Sequence, residues 1–195
     1  HHPRRGHKRP EILNEQLRLV RAEAAKISDK FRIYLGTEVF FGQDVPEKIN
    51  RGEILTMNKR NTVLLEFSPS DSYDYIRQGV QQVQMTGNQV IIAHAERYQC
   101  LLDDIGYAEE LCDMGASIQV NAGSIIGDGG RRAKKFVKEL MDEDMVFGVG
   151  TDAHGVHTRA PKMKKAADYV KKKYGEEYMR RIFFDNAATL LRKRK

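Results

Sequence analysis

The sequence predicts an α/β fold in which parallel strands alternate with helical crossovers. Three observations predict it. Short apolar runs alternate with longer segments of helical periodicity. The runs are nearly continuously apolar, as in strands covered on both faces. A ligand-type polar residue closes run after run at an almost constant interval: Glu38 to Glu66 is 28 residues, Glu66 to His94 is 28, His94 to Asn121 is 27, and Asn121 to Asp152 is 31.

The elements follow in order. Residues 1–9 read as loop, and Pro10 suits a first helical turn. Ile12, Leu13, Leu17, Val20, Ala24 and Ile27 then repeat at helical spacing, ending near Ser28. The run Phe31–Leu35 is expected as a strand leading to Gly36-Thr37-Glu38, and a short helix follows around Pro46–Asn50. Thr62–Leu65 is a strand ending at Glu66. A helix from Asp71 to Met85 stops at Gly87. Val90–Ala93 ends at His94, the helix Tyr107–Met114 stops at Gly115, and Ser117–Val120 ends at Asn121. Gly123 to Gly130 reads as a flexible glycine-rich rim, without phosphate-loop or dinucleotide spacing. A helix from Arg131 to Glu143 precedes the strand Met145–Val149, which leads into Gly150-Thr151-Asp152-Ala153-His154. From Pro161 onward the chain is helical and basic.

At 195 residues, a single domain covering 1–195 is expected. Hydrophobic residues make up 41%, enough for a core, and no apolar run approaches the roughly 20 residues of a membrane span. Two cysteines cannot build a disulfide scaffold, so a reducing, cytoplasmic setting is expected. The net charge of +6 suits anionic partners. The basic runs hold no interleaved aromatic residues, and nucleic acid is not an expected partner.

Parallel α/β strands gather their C-terminal ends at one face. Glu38, Glu66, His94 and Asp152 should therefore converge although far apart in sequence. Singly, each has an ordinary explanation: a cap, a surface carboxylate, a hydrogen-bonded histidine. Jointly they would repel or desolvate one another unless a cation bound them. The oxygen and imidazole set suits Mn, Fe or Zn. Asp152-Ala153-His154 holds two ligand types two residues apart, able to face one site in extended backbone. Arg97 and Arg159 follow His94 and His154 in loops, where a phosphate grip and a surface salt bridge explain them equally well. His157 reads as a rim residue, and Asn121 as a turn cap or a substrate contact. Cysteine catalysis is excluded: the positions where a cysteine-phosphatase loop needs its arginine hold Gly106 after Cys100 and Ile118 after Cys112. No Gly-x-Ser-x-Gly elbow is present either, which leaves metal-assisted hydrolysis.

The runs Gly36-Thr37-Glu38-Val39, Leu65-Glu66-Phe67, Ile92 to Tyr98 (Ile-Ala-His-Ala-Glu-Arg-Tyr) and Thr151 to His154 resemble one group of bacterial enzymes. Lys172 to Glu176 and Asp185-Asn186-Ala187 are similar as well, so the resemblance spans nearly the whole chain. The group is the manganese-dependent protein-tyrosine phosphatases of capsule and exopolysaccharide operons, within the polymerase-and-histidinol-phosphatase (PHP) family. The resemblance implies a distorted seven-stranded, TIM-like (β/α) barrel holding two or three Mn ions, with Fe or Zn as alternatives. It implies that Glu38, Glu66, His94, Asp152 and His154 are ligands and that Arg97 and Arg159 grip the phosphate. His154 or His157 would serve the leaving group. His1 of His1-His2-Pro3 corresponds to a further ligand, unless the pair is a tag remnant. The partner implied is a phosphotyrosine-bearing bacterial autokinase at the membrane face, and a homo-oligomer is compatible. The family's opening Asp-x-His-x-His strand is absent, so N-terminal strand units are expected upstream of this chain. A histidinol phosphatase, an inactive binding module and a metallo-nuclease are the alternative readings.

Overall fold

The computed structural model describes residues 9–191. His1, and the ligand role expected of it, lies outside the described residues. Helix α1 (Pro10–Ile27) leads to strand β1 (Glu38–Phe40) and helix α2 (Val45–Asn50). Strand β2 (Thr62–Glu66), helix α3 (Tyr73–Gln84) and strand β3 (Gln89–Ile92) follow. After a 3-10 turn at Ala95–Arg97 come α4 (Gln99–Asp103), α5 (Gly106–Asp113) and strand β4 (Ser117–Asn121). Helices α6 (Ala122–Ile126) and α7 (Gly130–Asp142) precede strand β5 (Val146–Gly150). The chain closes with α8 (Lys164–Tyr174), α9 (Glu176–Arg180), a π turn and α10 (Asn186–Thr189).

The five strands form one parallel sheet in chain order, β1-β2-β3-β4-β5. Each strand lies beside its sequence predecessor, the arrangement that helical crossovers produce. The register sets Phe40 beside Glu66 and Asn121 beside Gly150, so the upper ends of the strands are level. Among the described residues β1 and β5 do not pair. No described helix is long and apolar enough to cross a membrane.

One face of the sheet makes the core. Val39, Val63, Leu65, Val90, Ile92, Ile118 and Val120 are almost fully buried. Against them pack Ile76, Val80 and Val83 of α3, Leu111 of α5, and Phe136, Val137 and Leu140 of α7. Burying each such side chain stabilises the fold by about 1.5–3 kcal/mol. On the other face Thr62 and Ile91 are buried, while Leu64, Glu66 and Gln119 are part-buried. One face is sealed by helices, and the other mixes apolar residues such as Leu64, Ile91, Phe147 and Val149 with the polar ones.

Two expectations change. Residues 31–37 form no strand; Phe31 and Tyr34 are exposed, and Glu38 opens β1 instead of ending a strand before it. Apolar content does not make a strand without a neighbour to complete its ladder, and only residues 38–40 find one in β2. The segment Gly123 to Gly130 is a helical turn, α6, capped by Gly127 in left-handed conformation, rather than a loose rim. The C-terminal region is helical as expected, in three helices and a π turn.

Gly79 shows how tightly α3 seats. A Cβ there would come within 2.7 Å of the Phe67 ring and 3.0 Å of the Phe41 ring. Alanine normally favours a helix over glycine by about 1 kcal/mol, but overpacking costs about 1–3 kcal/mol. Gly79→Ala should therefore destabilise by about 1 kcal/mol net, read as a lowered urea midpoint at constant m-value.

Candidate metal centre and its arginine-lined neighbour

The site occupies the less buried face of the sheet at its upper end. Glu38 starts β1, Glu66 ends β2, and His94 follows the end of β3. Parallel pairing brings the three together. His94 Nε2 lies 3.2 Å from Glu38 Oε1 and 3.3 Å from Glu66 Oε1. One ligand atom from each residue falls within 4.8 Å of the others, a spacing that can hold a metal ion. His94 is only 3% exposed, and neither ring nitrogen has an aligned hydrogen-bond partner among the described residues. The carboxylate contacts are therefore short in distance but poorly directed for hydrogen bonding. A cation fits this donor set, because it needs lone pairs converging on a point rather than aligned N–H bonds.

Electrostatics point the same way. Burial pushes the His94 pKa down, but the Glu38 and Glu66 carboxylates outweigh it and hold it at about 9. In the metal-free protein the imidazolium stands in for a cation between two carboxylates.

Asp152 lies beyond β5 and is 12% exposed at its side chain. Its carboxylate is gripped by both Arg97 and Arg159. Burial alone would raise its pKa, but the two guanidinium groups lower it below the ordinary carboxylate value. The His154 ring, 43% exposed, approaches Asp152 at 3.5 Å, and its Nδ1 lies 2.9 Å from the Asp152 backbone carbonyl. The structure thus gathers Glu38, Glu66 and His94 into one cluster and places Asp152 and His154 beside it, outside the triad.

Two cavities meet at this point. One, of about 460 Å³, is lined by Glu38, His94, Gln119, Asp152 and His154. The other, of about 520 Å³, is lined by Glu96, Arg97, Arg159 and Lys162. Asn121 and Asp152 line both and form the border. His157, expected at the rim, is exposed and lines neither.

Three of the six described non-glycine residues with positive φ fall here. His94, Asp152 and Arg159 adopt φ of 36°, 49° and 51°, left-handed values that cost a non-glycine residue about 1–2 kcal/mol. The surrounding structure must over-determine them. Lys162, Glu96 and Gln119 were not singled out from sequence. Lys162 was hidden in a basic run. Gln119 left a trace, as the one amide inside an otherwise apolar strand core.

Fold and site together define a class: a parallel α/β protein with a carboxylate–imidazole cluster able to hold a metal ion at its strand ends and a guanidinium-lined cavity alongside. Comparison with known proteins gives the family. A family model described as capsular polysaccharide synthesis, CpsB/CapC, matches residues 1–192. The chain is 32% identical over 186 residues to the tyrosine-protein phosphatase CpsB of Streptococcus pneumoniae, covering 93% of this chain and 76% of that protein. It is 28% identical over 157 residues to the tyrosine-protein phosphatase YwqE of Bacillus subtilis, covering 80% of this chain and 61% of that protein. A solved structure from work on YwqE and CpsB, described as unique metal-dependent tyrosine phosphatases, superposes with a TM-score of 0.80 at 24% identity. That match covers 88% of this chain and 69% of the other. The protein belongs to the CpsB/CapC family, and the family resemblance drawn from its motifs is borne out.

The raised His94 pKa gives a pH prediction for the metal-free protein. A protonated His94 stabilises the fold fully below its unfolded value of about 6.5, and this stability is lost as pH rises through about 9. Unfolding free energy from urea titration should fall between these values, and the fall should be much reduced in His94→Gln.

Proposed function

We propose that this chain forms a metal-dependent protein-tyrosine phosphatase domain, spanning residues 1–195, that removes phosphate from a bacterial tyrosine autokinase controlling capsule or exopolysaccharide synthesis in the cytoplasm. The observation that carries the proposal is the Glu38–Glu66–His94 cluster standing beside the Arg97–Arg159 pair. The names of the relatives favour phosphotyrosine over histidinol phosphate. The described sheet supplies five strands of the proposed seven-stranded barrel.

Glu38, Glu66 and His94 are proposed ligands of two or three Mn ions, joined by Asp152 and His154 and by His1, which lies outside the described residues. When bound, such ions lower the pKa of a coordinated water to near 7 and supply the nucleophile. The chain's own residues do the rest. Arg97 and Arg159 already hold an anionic oxygen, that of Asp152, from two sides. Their planar forks suit the equatorial oxygens of a transferring phosphoryl group, where charge builds up. Lys162 adds a third positive charge to the same cavity wall. His154 engages the Asp152 carbonyl through Nδ1, which leaves Nε2 as its ligating nitrogen, and the phenolate, a weak base, leaves with little need of a proton.

Excess chelator should abolish hydrolysis of a phosphotyrosine peptide, and added Mn2+ should restore it. Glu66→Gln and His94→Ala should each lower kcat/KM by about a hundredfold or more at fixed Mn2+. Arg97→Ala should lower it by about 10²–10³-fold, a loss that saturating Mn2+ does not restore. Undiminished turnover in excess chelator would contradict the proposal.

A further inference from the structure

Glu66 and His94 stand on neighbouring strands, yet the ladder between them runs out just below. The last registered pair of β2 with β3 is Leu65 with Ile92. Above it one backbone bond remains, from Ala93 N–H to the Leu65 carbonyl at 2.9 Å. Two side chains, one fully buried and one part-buried, take over from there.

The first is Tyr98, which is fully buried. Its hydroxyl accepts the Phe67 N–H at 3.2 Å and donates to the Ala93 carbonyl at 2.9 Å. Phe67 follows Glu66 and Ala93 precedes His94. One phenol oxygen therefore ties together the backbone on either side of the two ligand positions. The ring is wedged edge-on against Phe67 at 6.0 Å, which keeps the hydroxyl from swinging away.

The second is Gln119. A register irregularity falls between Ile118 and Gln119, so β4 is locally re-aimed at this residue. Its side-chain oxygen accepts the His94 N–H at 2.7 Å. Its amide nitrogen donates to the Val120 carbonyl at 2.7 Å and to Asn121 Oδ1 at 3.2 Å. His94 is left-handed, so its N–H has turned out of the ladder, and the glutamine supplies the acceptor that the ladder does not. The amide also packs on β5, where a Cβ at Gly150 would lie only 2.7 Å from it. Glycine at 150 leaves the room it needs.

We propose that Tyr98 and Gln119 are the positioning residues of the metal centre. They fix the separation of Glu66 from His94 and hold His94 in its left-handed conformation, without themselves ligating a cation. This rests on the reading of Glu38, Glu66 and His94 as ligands. The unusual feature is economy: both ties join strands at the one level where backbone pairing has ended.

The test uses Tyr98→Phe, Gln119→Met and, as a control, Ile118→Val, which trims the core of the same sheet without touching either tie. In metal-free protein, amide exchange should accelerate at Phe67 in Tyr98→Phe and at His94 in Gln119→Met, by about tenfold or more, with core amides of β4 unchanged. Chelator competition should then show Mn2+ bound about 10–100-fold more weakly by both variants, the usual effect of losing support behind a ligand. The control should bind as wild type does, and saturating Mn2+ should return most of the kcat of both variants. Wild-type Mn2+ affinity in both variants, or equal weakening in the control, overturns the inference. Failure of wild-type protein to bind Mn2+ overturns the ligand reading itself, and this inference with it.

Discussion

Two carboxylates facing one buried imidazole at 3.2 and 3.3 Å set the terms for the rest of this structure. Such a cluster is costly unless positive charge lies at its centre. In the metal-free protein that charge is a proton, held on His94 well above the ordinary histidine value. A divalent cation answers the same demand with more charge and less directional constraint. The fold accordingly invests in this point: a sealed helical face behind the sheet, level strand ends in front, and left-handed backbone at His94, Asp152 and Arg159. Strain of this kind persists only where packing leaves no alternative.

Asp152 connects the cluster to its cationic neighbour. It borders both cavities, and its carboxylate is held by two guanidinium groups. An anionic substrate entering the arginine-lined cavity meets groups already arranged around a carboxylate. Exchange of one anion for another requires little reorganisation of Arg97 and Arg159, which is the essence of electrostatic preorganisation.

Much of this was legible in the sequence for a physical reason. Parallel strands with crossovers of nearly constant length turn a linear interval into a spatial cluster, so the 28-residue spacing of Glu38, Glu66 and His94 foretold their meeting. Helices α3, α5 and α7 were readable from periodicity and their glycine stops. Residues 31–37 were misread because strand formation depends on a partner that composition does not reveal. Helix α6 was missed because glycine content suggested freedom where Gly127 in fact acts as a cap. Gln119 and Tyr98 were invisible as ties, since a hydrogen bond between residues 25 or 31 positions apart leaves no local pattern. The pairing of Asp152 with both arginines belongs to the same class of long-range contact.

The most direct measurement is anomalous diffraction at the manganese edge on crystals of the Mn2+-loaded protein. A peak within about 2.5 Å of carboxylate oxygens of Glu38 and Glu66 and of the His94 Nε2 atom is the predicted result. Anomalous density confined to other parts of the surface, with the three side chains still packed against one another around a protonated imidazole, would contradict the account.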